Sequence, residues 1–191
     1  MEREKKSKNK PLLLVFAGPN GSGKSTITEY FETKNYTNAD DIVKSTGVSN
    51  EEAALIVQKK RYESIKKKED FSFETVLSSE YSMDILRKAK EEGYFIKCIF
   101  VLTVNPDINY ARVLSRVEIG GHYVDKEKIY KRYRRSLDNI SELIRICDIL
   151  HVYDNSSGEN DFSRIIRKHK DDITIFPNDI WDREDILGLL G

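Results

Sequence analysis

Leu12 to Ala17 is an unbroken apolar run, the pattern of a parallel strand buried on both faces. Ile27 and Phe31 follow four residues apart, one face of a helix opening near Lys24. Asn35 to Ile42 reads as a short strand that delivers Asp40 and Asp41 at its carboxyl end. Ser49-Asn50-Glu51-Glu52 is a capping box. In the helix it opens, Leu55, Tyr62 and Ile65 share a face. The basic clusters Lys59-Lys60-Arg61 and Lys66-Lys67-Lys68 fall largely off that face and are expected on a solvated surface. Phe71 to Leu77 alternates like a strand and carries Glu74 and Thr75 towards its end. Ser78 to Glu92 reads as a helix stopped by Gly93. Tyr94 to Leu102, nearly all apolar, reads as a central strand.

Asn105-Pro106 starts another helix, cap then proline, and Gly120-Gly121-His122 breaks it. Asp125 caps the next. There Tyr130, Tyr133, Leu137, Ile140 and Ile144 recur at three-four spacing, a packing stripe. Asp148 to Tyr153 is the fifth predicted strand, ending in Asp154-Asn155-Ser156-Ser157-Gly158. From Asp171 onward the apolar residues Ile173, Ile175, Phe176, Ile180, Trp181, Ile186 and Leu187 either add a strand and helix or dock on a partner.

Composition narrows the class. The chain has 191 residues, 32 basic and 32 acidic, which suits one domain with no net field towards nucleic acid or anionic lipid. Neither membrane nor nucleic acid is therefore expected as a partner. Two cysteines make no disulfide framework, and no apolar run is long enough to cross a bilayer. A cytoplasmic protein is the expectation, with a flexible basic tail over residues 1–10 and a single domain over 11–191.

Between the first strand and helix lies Gly18-Pro19-Asn20-Gly21-Ser22-Gly23-Lys24-Ser25-Thr26, which fits the G-x-x-x-x-G-K-[ST] pattern of a phosphate-binding P-loop. Its glycines let successive N–H groups curl around phosphate oxygens, and the helix N-terminus adds partial positive charge. Lys24 is expected to bridge the β- and γ-phosphates of ATP, and the Ser25 hydroxyl to hold Mg²⁺. The predicted fold is α/β, a P-loop NTPase three-layer α/β/α sandwich with a mostly parallel sheet of five or six strands. Residues 106–146 would form a helical arginine lid and 171–191 a C-terminal extension.

Phosphoryl transfer asks mainly for positioning and charge neutralisation. Asp40 and Glu74, at the ends of two strands expected to flank the P-loop strand, are candidates to hold an acceptor hydroxyl. A helix-capping role for Asp40 stays open. Arg112 and Arg116, four apart, and Arg132 and Arg135 on the next helix could grip migrating phosphate oxygens.

The motifs just quoted, with Asn38-Ala39-Asp40-Asp41-Ile42, Phe73-Glu74-Thr75-Val76-Leu77-Ser78, Arg112-Val113-x-x-Arg116-Val117, Gly120-Gly121-His122, Arg132-Tyr133-x-Arg135-Ser136-Leu137 and Tyr153-Asp154-Asn155-Ser156, occur in an order that resembles compact zeta-toxin-like P-loop kinases, from about Pro11 to Ser157. The resemblance implies an ATP- and Mg²⁺-dependent phosphotransferase whose acceptor is the sugar 3′-hydroxyl of UDP-N-acetylglucosamine or a related nucleotide sugar. It implies Asp40 as the carboxylate that orients and deprotonates the hydroxyl. Glu74 and Thr75 would help hold the acceptor, the four arginines the phosphates, and Asp154 and Asn155 would lie on the adenine side; His122, in the glycine break, reads either as a contact to the acceptor or as a loop residue. An antitoxin partner is implied by analogy. The alternatives are a nucleoside or polynucleotide kinase or NTPase, and a nucleotide-dependent binding module without phosphotransfer.

Overall fold

The computed structural model describes residues 10–121, 123–158 and 161–191. The elements run β1 (Leu12–Ala17), α1 (Lys24–Thr28), β2 (Tyr36–Thr37), α2 (Ala39–Thr46), α3 (Asn50–Lys67), β3 (Phe71–Thr75), α4 (Glu80–Glu91), β4 (Phe95–Leu102), α5 (Pro106–Glu118), α6 (Lys126–Asp138), α7 (Ile140–Ile146), β5 (Ile149–Asp154), β6 (Ser163–His169), β7 (Asp172–Ile175) and α8 (Arg183–Leu190). The sheet has seven strands in the order β2-β3-β1-β4-β5-β6-β7. The first five are parallel, and β6 and β7 close the far edge antiparallel. The α/β class and mostly parallel sheet agree with the sequence reading, with more strands than the expected five or six. The segment after Asp171 supplies β7 and α8. Of the predicted tail, only Lys10 lies within the described residues.

The two sheet faces are covered unequally. Leu13, Val15, Phe71, Phe73, Ile96, Cys98, Phe100, Leu150 and Val152 face a large core closed by α3, α4, α7 and α8, with Trp181 and Ile186 sealing one end. The opposite cluster is smaller: Leu14, Phe16, Ile99 and Val101 under Ile27, with Phe31, Tyr36, Tyr153 and Phe162 at its margin. Helix α1 stops at Thr28, short of the predicted Phe31. The β-branched run Thr26-Ile27-Thr28 is a weak helix former, and the chain tightens through bonds from Tyr30 N–H to Ile27 C=O and from Phe31 N–H to Thr28 C=O. Phe31 still packs edge-on to Phe16, ring centroids 5.5 Å apart.

Two other expectations are corrected. In α3 the buried residues are Ala53, Val57, Arg61 and Ile65, whereas Leu55 and Tyr62 are exposed. Residues four apart bury one stripe; small side chains let the helix approach, and the Arg61 stem fills a gap between them. Asp40 is not at a strand end. Strand β2 has two residues and neighbours β3, not β1. The Asn38 side chain then accepts from Asp40 N–H and turns the chain into α2, with Asp40 in the first turn. Asn38 therefore caps the helix and leaves the Asp40 carboxylate free of that duty.

Candidate active site

The P-loop follows β1 at the carboxyl edge of the sheet, where ligands bind in open α/β folds. Gly18 sits at φ +139°, and a Cβ there would lie 2.0 Å from the Val101 carbonyl oxygen. Only glycine lets β1 pass β4 so closely before the loop opens. Gly18→Ala should therefore unseat the loop and abolish ATP-induced stabilisation in a thermal-shift assay, with the unfolding midpoint of the free protein lowered as well.

Asn155, buried after β5, donates from Nδ2 to the Ser22 carbonyl at 2.9 Å. A Cβ on Gly23 would strike that nitrogen at 2.4 Å. Asp154 is also buried, bonded to Ser156 N–H and hydroxyl. Asn155 thus braces the loop from behind, while Asp154 fixes the turn that follows β5.

Lys24 is buried, and its ammonium donates to the Pro19 carbonyl at 2.8 Å. Glu74, at the end of β3, lies 4.0 Å from Lys24 Nζ. Its carboxylate also accepts from Ser25 Oγ, at 3.0 and 3.3 Å, and from the Tyr36 hydroxyl at 3.3 Å. Burial lowers the Lys24 pKa. Glu74 opposes that shift, Arg116 adds to it, Asp40 opposes it and Arg132 adds to it. Five of the residues singled out from sequence therefore share one electrostatic field. Burial likewise lowers the Arg132 pKa, against the pull of Asp40. Burial, then Glu74, raises that of Tyr36.

Side-chain bonds between loop and lid hold these groups in register. Asn109, buried on α5, donates to the Asn20 carbonyl at 2.7 Å and accepts from Thr103. Asn109 and Arg116 lie two turns apart on one face of α5, so anchoring the first helps to aim the second towards Lys24. On α6, Arg132 reaches Asn20 Oδ1 at 3.4 Å, the Tyr133 hydroxyl donates to the Thr103 carbonyl at 2.6 Å, and Ser136 donates to the Val76 carbonyl at 2.7 Å.

The other predicted residues are placed differently. Arg112 has a buried Nη1 without a hydrogen-bond partner. Arg135 is exposed and lines a shallow groove of about 510 Å³ with Lys126, Tyr130, Lys131 and Arg134. The Thr75 hydroxyl is occupied, meeting Ser82 Oγ at 3.0 Å and accepting from Leu77 N–H at 3.1 Å. His122 lies outside the described residues.

Sequence reasoning missed Arg61. Its guanidinium lies 4.1 Å from the Phe73 ring centroid. It donates to Thr37 Oγ1 at 3.0 Å, to the Thr37 carbonyl at 3.3 Å and to the Glu74 carbonyl at 3.4 Å. One cation thus ties the strand before Asp40 to the strand bearing Glu74. Its place four residues from both Val57 and Ile65 was the available signal. Arg61→Met keeps the stem but releases three acceptors; the expected result is destabilisation of about 2 kcal/mol by urea unfolding.

The zeta toxin family model matches residues 35–165, more than half of the chain and beginning beyond the P-loop. The chain belongs to the zeta toxin family. Membership supports a nucleotide-dependent, kinase-type enzyme. An uncharacterized Haemophilus influenzae protein is 27% identical over 127 residues, 63% of this chain and 91% of that one. The AvrRxo1-ORF1:-ORF2 complex solved with ATP contains a chain similar in fold, at TM-score 0.71 and 15% identity, over 87% of this family member and 60% of that chain. This zeta toxin relative thus spans about three-fifths of that protein. The PezAT chromosomal toxin-antitoxin system of Streptococcus pneumoniae matches at TM-score 0.59 and 19% identity, over 86% and 74% of the two chains. Both likenesses show the fold. No helix among the described residues is long and apolar enough to cross a membrane.

Proposed function

We propose that this zeta toxin family member transfers the γ-phosphoryl group of ATP to a hydroxyl of a small molecule, with a nucleotide sugar such as UDP-N-acetylglucosamine at its 3′-OH as the leading acceptor. The observation that carries the reading is the meeting of buried Lys24, Ser25 and Glu74 at the P-loop, with Arg132 reaching Asn20 of the same loop; Asp40, Arg116 and Arg132 are near enough to act on the Lys24 charge. A switch or binding module needs the phosphate cradle but has no use for this combination. A polynucleotide kinase would use it too, and the acceptor panel below separates that reading.

The P-loop N–H groups and Lys24 would hold the phosphates. Ser25 and Glu74 present hydroxyl and carboxylate oxygens side by side, the hard donors that Mg²⁺ accepts alongside phosphate and water. That ion would offset phosphate charge when bound. Asp40 is exposed at the mouth of the site and would take the acceptor proton as the hydroxyl oxygen bonds to the γ-phosphorus and the bond to the β–γ bridging oxygen breaks. Arg116 and Arg132 would neutralise the equatorial oxygens during transfer, an electrostatic role that arginine's planar fork suits. Glu74, joined to both Ser25 and Lys24, would serve the metal side as well as the acceptor. Arg112, Arg135, Thr75 and His122 remain secondary candidates. Because the two solved relatives named above are a two-component complex and a toxin-antitoxin system, a neutralising partner protein is part of the proposal.

The test is incubation with Mg·ATP and a panel of UDP-sugars, nucleosides and DNA or RNA 5′-ends, followed by mass spectrometry. Addition of one phosphate to a UDP-sugar, with matching ADP, is expected. Phosphorylation of polynucleotide ends alone would replace the acceptor assignment. ATP binding with no transfer to any acceptor would overturn the reading.

A further inference from the structure

The less covered sheet face presents cations without carboxylate partners within 4.0 Å among the described residues. Register places Lys97, Ile149 and His169 in one row across β4, β5 and β6, and Ile99, His151 and Arg167 in the next; beyond a bulge, Tyr153 pairs with Arg164. Directly paired residues project from the same face. Phe31 and Phe162 cap the end nearest the P-loop, and the face beyond them carries no helix among the described residues. Arg164 and Arg167 are exposed, and Lys97, His151, Tyr153 and His169 are half-buried. Lys97 lies 5.8 Å from the Phe31 ring centroid and Arg164 5.2 Å from that of Phe176. Among the described residues, none of these cations forms a salt bridge within 4.0 Å. Asp172, opposite His169, is the one carboxylate in the rows.

This arrangement is unfavourable by itself, because like charges directly opposite on a sheet repel. His151 registers the repulsion. Its pKa is pushed down to about 4, first by burial and then by Lys97, Arg164, Arg167 and His169. Acidic and basic residues balance over the whole chain, so the concentration of cations here is local.

We propose that this face binds the phosphodiester backbone of a single nucleic-acid strand, with Lys97, Arg164 and Arg167 neutralising phosphates and Tyr153 offering a ring to a base. Cations in rows about 4.8 Å apart, strand to strand, beside aromatic rings form the combination that holds single strands without reading sequence. Among the described residues the same rows hold no exposed apolar side chain to anchor in a membrane, and the Tyr153 ring can stack on a base that is not already paired in a duplex. The site is distinct from the P-loop and does not depend on the phosphotransfer reading.

The experiment is fluorescence anisotropy with the full chain and a labelled oligo(dT) of about 12 nucleotides, over a salt series with Mg·ATP saturating. Three neutralised phosphates should give a slope of log K against log salt of about −2, and Arg164→Gln/Arg167→Gln should reduce it to about −0.7. Affinity at low salt should fall tenfold or more in that variant while ADP formation is unchanged. In a parallel NMR titration the strand should lift the His151 pKa from about 4 towards the ordinary histidine range. Lys24→Ala should bind the strand like the wild type. Absence of binding, an unchanged slope in the double variant or a silent His151 would overturn the proposal. So would competition by Mg·ATP, or preference for poly-glutamate or phosphatidylserine vesicles over the oligonucleotide.

Discussion

Lys24→Ala is expected to slow phosphotransfer by on the order of 10³-fold, since one preorganised charge at the migrating group is worth about 10²–10³ and in the proposed mechanism Lys24 would also grip the ground-state phosphates. The fold should survive. Lys24 is a buried cation whose pKa is lowered chiefly by that burial, so its removal relieves a desolvation cost while Glu74 keeps its bonds to Ser25 and Tyr36. The sign can be checked through pH. A lysine with a folded-state pKa below 10.5 binds fewer protons folded than unfolded between the two values. Its contribution to stability therefore rises with pH across that window. Wild type should gain stability relative to Lys24→Ala as pH climbs towards 10.5. Mg·ATP at a hundredfold excess over its dissociation constant should stabilise the wild type by about 2.7 kcal/mol and the variant far less. A coupled ADP assay and thermal unfolding with and without nucleotide read both effects. Transfer near the wild-type rate would remove the lysine from the chemistry.

What the sequence disclosed follows from how local each determinant is. The P-loop was legible because glycines, lysine and serine at fixed spacing build a phosphate cradle from consecutive residues. Strands β1 and β4 were legible because burial on two faces leaves an unbroken apolar run. Glu74 stood out as a carboxylate ending an apolar strand, and it lies 4.0 Å from the Lys24 ammonium. Outer strands carry less signal. In β6, Ile165 and Ile166 are both buried beside a bulge at Val152/Tyr153, which breaks the alternation that would announce a strand. Arg61 stayed hidden for a related reason. Its neighbours Lys59 and Lys60 are solvated, and only tertiary contact with Thr37, Phe73 and Glu74 distinguishes it. The lid arginines divide in the same way. Arg116 and Arg132 act on the charge at Lys24, whereas Arg135 lines an outer groove with Lys126, Tyr130 and Lys131; spacing alone does not tell them apart, because residues three apart share a helix face.

Asp40→Asn should cost about 10²–10⁴ in the rate of transfer, the range for losing a general base, while ATP binding is retained. The two proposed roles are separable by mutation. Asp40 touches the nucleotide region only through its field on Lys24 and Arg132, and no P-loop hydrogen bond uses its carboxylate. The α2 cap belongs to Asn38, so the helix keeps its N-terminus when the charge is removed. The lost interaction with the helix dipole is worth only about 0.3–1 kcal/mol at an exposed position. A fall in kcat with an unchanged ATP dissociation constant by calorimetry, and an unfolding midpoint within a few degrees of wild type, is the expected pattern. The reverse pattern, weaker ATP binding with normal turnover at saturation, would make Asp40 a positioning residue for Lys24 and shift the acid–base role to Glu74, the other carboxylate facing the ammonium. Asp40 is the better base on geometry because Glu74 already accepts from Ser25 and Tyr36. A carboxylate held by those donors is less free to approach an acceptor hydroxyl.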